Sequence, residues 1–394
     1  MYFNLIGNVA GRSMFKFILS AVILFISLFT TGCSRSVISI ERAHNTEVYP
    51  MYGKIPAREF YYNGNISDSL VFKWQAEITG STLASSVVAY GHYVFLNDLS
   101  GRVYCFDINT GKTAGQLKHK GAVYTAPVLE NITLIYASAK SDENNSELVF
   151  YDFINAKAIA ELDIAGRVLS HIIKIDDGVV FTTENGRIYK FNFTGYKMFE
   201  HPTKKVTHSS PAFNNNILVF GNDNGEITGF NIKDQKQLYS AKISKHLLSG
   251  IAISGNTAFV GDYKGVLYAV DINSGTIQWE YNTGKRIEMI PAFDDSNVYI
   301  GNLGGEFFAI DKLTGNLIWK SLTDGILNAP PLVANNLIVV PDLNRKIHFI
   351  NKQDGSIRKT MEFGGRVKLT PVFFNNLLFI GYDDGILEAY EIIN

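Results

Sequence analysis

Two cysteines, Cys33 and Cys105, are all that the 394 residues contain. Cys105 lies in the alternating run VYCFD, where it reads as a small buried hydrophobe, so the folded domain is expected to carry no disulfide. Proline is scarce at ten residues, and aromatic residues make up 13% of the chain. That pairing excludes a proline-rich disordered polymer. Neither sign of charge dominates, with 36 Lys and Arg against 37 Asp and Glu. Without Arg12 and Lys16 of the leader the formal charge falls from −1 to −3, which provides no electrostatic footprint for nucleic acid. The eight histidines show no H-x-x-x-H or clustered spacing, so no metal centre or Ser-His-Asp constellation can be nominated.

Long apolar runs are equally rare. Residues 17–29, FILSAVILFISLF, form a stretch of thirteen, short for a membrane span and typical of a signal-peptide core. Arg12 and Lys16 precede it, and TTGC follows it, ending at Cys33. A small residue before a cysteine resembles a bacterial lipoprotein cleavage site, with Cys33 as the lipid acceptor. Thr30 departs from the leucine usual there. Ordinary secretory cleavage or an uncleaved anchor are the other readings, and Met14 is a second candidate start. Ser34 follows the acceptor, which by the usual sorting rule favours the outer membrane. Residues 33–68 lose all periodicity, and the stretch YPMYGKIPAREFYYNGN is rich in Tyr, Pro and Gly. It reads as a tether with an aromatic patch, either packed on the domain's side or sticky toward a partner. Deleting residues 35–60 is expected to leave stability nearly unchanged.

What is abundant is repetition. GVLYAVDINSGTIQW (residues 265–279) returns forty residues later as GEFFAIDKLTGNLIW. Each holds an alternating strand, a turn opened by Asp and closed by Gly, and a second strand carrying Trp. The opening position forms a column of Gly101, Ser146, Gly186, Gly225, Gly265, Gly305, Arg345 and Gly385, at steps of 45, 40, 39, 40, 40, 40 and 40. A turn-forming column follows six residues on, at Asp107, Asp152, Asn192, Asn231, Asp271, Asp311 and Asn351, with Glu391 last. Fourteen residues upstream of most openers, a column of Val87, Ile172, Pro211, Ile251, Pro291, Pro331 and Pro371 starts a further strand. Pro127 joins it if SDENNSE forms a longer turn in the second copy. Four strands per copy, A to D, in eight copies predict an all-β, eight-bladed β-propeller with four-stranded antiparallel blades.

A propeller must close, or its edge strands stay open. The eighth copy reaches Asn394 where its C–D turn would begin, and LVFKWQAE (Leu70–Glu77) stands as an orphan strand upstream of the first copy. Its Trp74 corresponds to Trp279 and Trp319. The expectation is a ring closed by this N-terminal strand, giving residues 1–32 as signal peptide, 33–68 as tether and 69–394 as one propeller domain.

This blade text resembles the pyrroloquinoline-quinone-type propeller repeat, over roughly residues 70–394. Within that family the chain is most similar to lipid-anchored scaffolds of outer-membrane-protein assembly. The resemblance implies a protein partner in that machinery, a membrane anchor and a monomeric propeller. The quinone dehydrogenases of the superfamily hold their cofactor between an aromatic floor and a disulfide of adjacent cysteines, with a calcium ion beside it. This chain has no Cys-Cys pair, and steps of forty residues leave no room for the catalytic insertions. Hence no enzyme activity, cofactor or metal is expected.

Other motifs read as turns. NDNGE (residues 222–226), YDDG (382–385) and GNLGG (301–305) stand where every copy needs a B–C hairpin. Small residues at the A strands, Ser85, Ser86, Ser170, Ser209, Ser210, Ser249 and Gly250, meet the crowding near the axis. Just before them, Arg167, His208, His246, Arg286, Glu288, Arg366 and Lys368 form a mostly basic rim. It is the candidate partner-binding surface; its alternatives are a solvated rim, or a mouth that takes a small anionic ligand or glycan.

Overall fold

In a computed structural model the described residues are 37–43, 47–140 and 144–393. Eight four-stranded antiparallel blades follow one another, and every blade pairs its strands in the order A-B-C-D. Blade 5 is representative, with strands Leu248–Ser254, Thr257–Asp262, Val266–Asp271 and Ile277–Asn282. Its B and C strands are buried on both faces, because each blade is sandwiched between two others. Strand D alternates exposed and half-buried residues at the periphery.

The ring closes as the orphan strand predicts. Leu70–Glu77 pairs antiparallel with Ile386–Ile392, strand C of blade 8, in a register running from Leu70↔Ile392 to Glu77↔Ile386. A lock repeated between blades explains the turn glycine and the tryptophan of the repeat together. The Trp279 ring lies where a Cβ on Gly315 would come within 2.7 Å, and its Nε1 donates to the Lys312 carbonyl at 3.1 Å. Gly315 also sits at φ +73°, so any side chain there meets strain and a clash at once. Trp319 makes the same contact with Gly355 and the Lys352 carbonyl. Trp74 repeats it with Gly111 and the Ile108 carbonyl, at 2.8 Å. The clasp therefore rebuilds between the two ends of the chain a joint found within it.

The B–C turns are built as expected. Asn222 Oδ1 accepts the N–H groups of Asn224 and Glu226, and Gly225 takes φ +79°. The stretch SDENNSE runs into strand C of blade 2, which begins at Asn145, and its residues 141–143, like Cys33 and Ser34, are outside the described residues. Cys105 is fully buried in strand C of blade 1, and burial pushes its thiol up.

The reading of residues 33–68 as a tether needs correction from Ile38 onward. Met51, Tyr52, Arg58, Phe60 and Ile66 are each at most 2% exposed, and Ile38 is fully buried. The aromatic patch packs into the centre of the ring, not on its side.

Candidate functional site

Radial blades point the free edge of every strand A at the axis, with unpaired N–H and C=O groups that need partners. Residues 48–62 supply them at six of the eight blades by travelling around the axis in blade order. Val48 and Tyr49 pair with Tyr90 and Ala89 of blade 1. The Pro50 carbonyl accepts Leu129 N–H of blade 2 at 2.7 Å; Pro56, Ala57 and Phe60 accept Phe213, Ile253 and Val333 at 2.9, 2.8 and 3.0 Å. Glu59 accepts Phe293 of blade 6 at a longer 3.4 Å. Lys54, Arg58 and Phe60 are all held at positive φ, so the curve of this plug is maintained by its contacts against local backbone preference.

Arg58 anchors the plug. It is fully buried and its guanidinium hydrogen bonds all go to carbonyls: Nε donates to Pro211 at 2.7 Å, Nη1 to Tyr52 at 2.8 Å and Nη2 to His171 at 2.9 Å. Burial pushes its pKa down to about 10, so it stays charged at neutral pH. Converging carbonyl dipoles here replace the carboxylate that a buried arginine usually requires. Tyr52 stacks on the His171 ring at 3.7 Å and shares a hydrogen bond with Thr370 at 3.2 Å.

His171 crosses from blade 3 to the Ala84 carbonyl at 3.2 Å, which places its proton on Nε2, while Nδ1 lacks a protein partner. Burial first, and the charge of Arg58 second, hold its pKa well below 6.5. The unfolded chain takes up a proton below pH 6.5 that the folded protein refuses. This contribution to stability is therefore complete above pH 6.5 and declines as pH falls below it. Between pH 7 and 5.5 the wild type should lose about 1 kcal/mol more than His171→Phe, which keeps the stack. Denaturation curves at the two pH values test this; parallel losses would refute it.

The sequence-nominated rim lies at the opposite mouth, on the D–A loops. Arg167 binds Glu184 through two bonds of 2.6 and 2.8 Å and holds that carboxylate below its ordinary range. His208 bridges Asp223 at 2.8 Å and Glu184 at 3.3 Å, tying blade 4 to blade 3. Arg286 lies 3.5 Å over the Tyr263 ring and contacts Glu288 at 2.6 Å. Arg366 and Lys368 share Asp383. His246 is exposed. At Arg167, His208, Arg366 and Lys368 the basic excess seen in the sequence is thus met locally by acids on the B–C turns, 15–17 residues downstream, while Arg286 is met by Glu288 of its own loop.

Among the described residues one group has metal-ligand proximity: Asp324, Asp342 and His348. Both His348 nitrogens are engaged, by Asp342 at 2.9 Å and Thr360 at 3.0 Å. Blades 1 and 5 place Tyr104 on Asp98 and Tyr268 on Asp262 at the same positions, so His348 substitutes for tyrosine in a structural pair. A quinone cofactor does not fit this axis, which Tyr52, His171 and Arg58 fill, and Cys105, buried in strand C of blade 1, is a single free thiol with no adjacent cysteine. The sequence reading missed the plug. Its signal was His171 itself, the one ionisable residue in a column otherwise made of Ser86, Ala126, Ser210, Gly250, Ile290, Pro330 and Thr370.

Among solved structures the chain resembles BamB from Moraxella catarrhalis, with 15% identity, TM-score 0.67, and 82% of this chain and 100% of that one covered. The computationally designed Ika8 protein matches at 17% identity and TM-score 0.69, covering 80% and 99%. A quinohemoprotein alcohol dehydrogenase from Comamonas testosteroni matches at 10% identity and TM-score 0.71, covering 87% and 80%. These likenesses share a fold and do not separate scaffold from enzyme. No curated protein sequence matches. A family model does, over residues 145–288 and 263–362, together more than half the chain. By that match the chain belongs to the family described as outer membrane protein assembly factor BamB.

Proposed function

We propose that this protein is a non-catalytic scaffold propeller that supports outer-membrane β-barrel protein assembly, anchored by lipid at Cys33 to the periplasmic face of the outer membrane. The observation that carries the non-catalytic reading is the plug: the axis is filled by the chain's own Tyr52, Arg58 and Phe60. Family membership supports the assembly role, and the leader ending at Cys33 supports the anchor. A mouth for a small anionic ligand or glycan has less support, because the rim cations face carboxylates.

Pull-down from solubilised membranes tests the assembly role. A large β-barrel assembly protein should co-purify, and its reproducible absence would refute the reading. Arg286→Glu with Arg366→Glu tests the rim in the same assay. Both side chains are substantially exposed; if they contact a partner, each charge-assisted bond contributes about 1.5–3 kcal/mol. Recovery at low salt should then fall while the thermal midpoint holds. Full recovery would leave the rim a solvated, self-paired surface. Cys33→Ala should leave the membrane fraction or retain its leader.

A further inference from the structure

The plug satisfies the inner edges unevenly. The N–H groups of Leu129, Phe213, Ile253, Phe293 and Val333 all reach plug carbonyls. Their equivalent in blade 8 is Phe373, whose N–H has no carbonyl partner among the described residues. Blade 3 also lacks such a backbone bond, but there the plug supplies Arg58 and the stacked Tyr52. At blade 8 the chain has already turned outward: Tyr62 N–H bonds the Val333 carbonyl of blade 7, and Asn335 N–H bonds the Gly64 carbonyl. Between the incoming Val48–Tyr49 and the outgoing Tyr61–Tyr62 a cavity of about 400 Å³ remains, within the range of ligand sites. Tyr49, Phe60, Tyr61 and Phe373 line it, together with Asn376 and Lys54.

We infer that this gap is a binding site for an extended peptide segment, which docks on strand A of blade 8 through main-chain hydrogen bonds and seats an apolar side chain among the aromatic rings. The argument rests on continuity. On blade 7 the plug is itself such a segment, running parallel to strand A through the Tyr61↔Val333 bridge, and blade 8 offers the next edge with its donor free. Strand addition at an open edge provides affinity through the backbone and selectivity through the side-chain pocket. This site lies on the A–B face, away from the charged rim, and does not depend on the assembly role.

The test titrates isotope-labelled intact protein in detergent micelles with a synthetic peptide of residues 57–62, capped at both ends. Saturable NMR shifts should centre on residues 373–376, and exchange of the Phe373 amide should slow at least about tenfold. Methylating the peptide's backbone nitrogens should weaken binding about tenfold, or about 1.4 kcal/mol. Val48→Trp, at a site 40% exposed, should fill the cavity and abolish the shifts while leaving the melting curve in place. No shifts, shifts confined to outer D strands, or equal binding of the methylated peptide would overturn the inference. So would maltotriose producing these shifts where the peptide does not.

Discussion

Arg58→Ala is expected to cost about 3–6 kcal/mol, since it strands three buried carbonyls at roughly 1–3 kcal/mol each. Relief from burying a charge offsets part of that sum. At roughly 2 °C per kcal/mol for a domain of this size, the thermal midpoint falls by about 6–12 °C. Arg58→Met separates volume from hydrogen bonding, because it fills the space but donates nothing. It should recover less than half of the loss. Calorimetry showing both variants within about 1 kcal/mol of wild type would mean that the Tyr52, His171 and Pro211 carbonyls find other donors. Removing residues 48–62 outright should prevent a stable fold, the reverse of what the tether reading implied.

Deleting residues 70–77 is expected to have the second large effect. Strand C of blade 8 would become an open edge seven residues long, and blade 1 would lose the Trp74 lock. The truncated protein should aggregate on size-exclusion chromatography. Trp74→Ala gives a graded version: the side chain is only 5% exposed, and emptying such a site costs about 3–5 kcal/mol. Hydrogen exchange should then rise in blades 8 and 1 together. A soluble truncation that melts like the intact protein would show that the ring does not need its clasp.

Blade count, strand order and clasp were legible because each depends on local text. Asp271 and Gly275 make a turn within five residues, and alternation marks which strand faces are buried. Even the clasp had a local marker in Trp74, since a strand that completes a blade keeps the blade's pattern. The axis was not legible. The plug's backbone bonds involve carbonyls, which every residue has, so sequence carries no signature of them. Arg58 reads as a solvent-facing cation, because nothing in its neighbourhood announces three carbonyls from residues 52, 171 and 211. The rim was legible only by halves: Arg167, Arg366 and Lys368 were found, but their carboxylates on the adjoining B–C turns belong to another part of the repeat. Pairing across a blade is a tertiary fact, and it turned a basic collar into a neutral one.

The plug and the clasp both precede all eight blades in the chain, yet their partners run to its end. Tyr52 meets Thr370, Asn336 holds Ile66, and Lys73 pairs with Glu391, separations of 318, 270 and 318 residues. A chain emerging from its N-terminus thus delivers first the parts that must dock last. Contacts of such span slow folding, because loop entropy is lost before the contact forms. Closure must wait for the final strand, so a chain shortened by even its last blade has no edge on which Leu70–Glu77 can settle. This order keeps the ring open until strand C of blade 8 has been made, so the seven blades before it must hold without their closing joint.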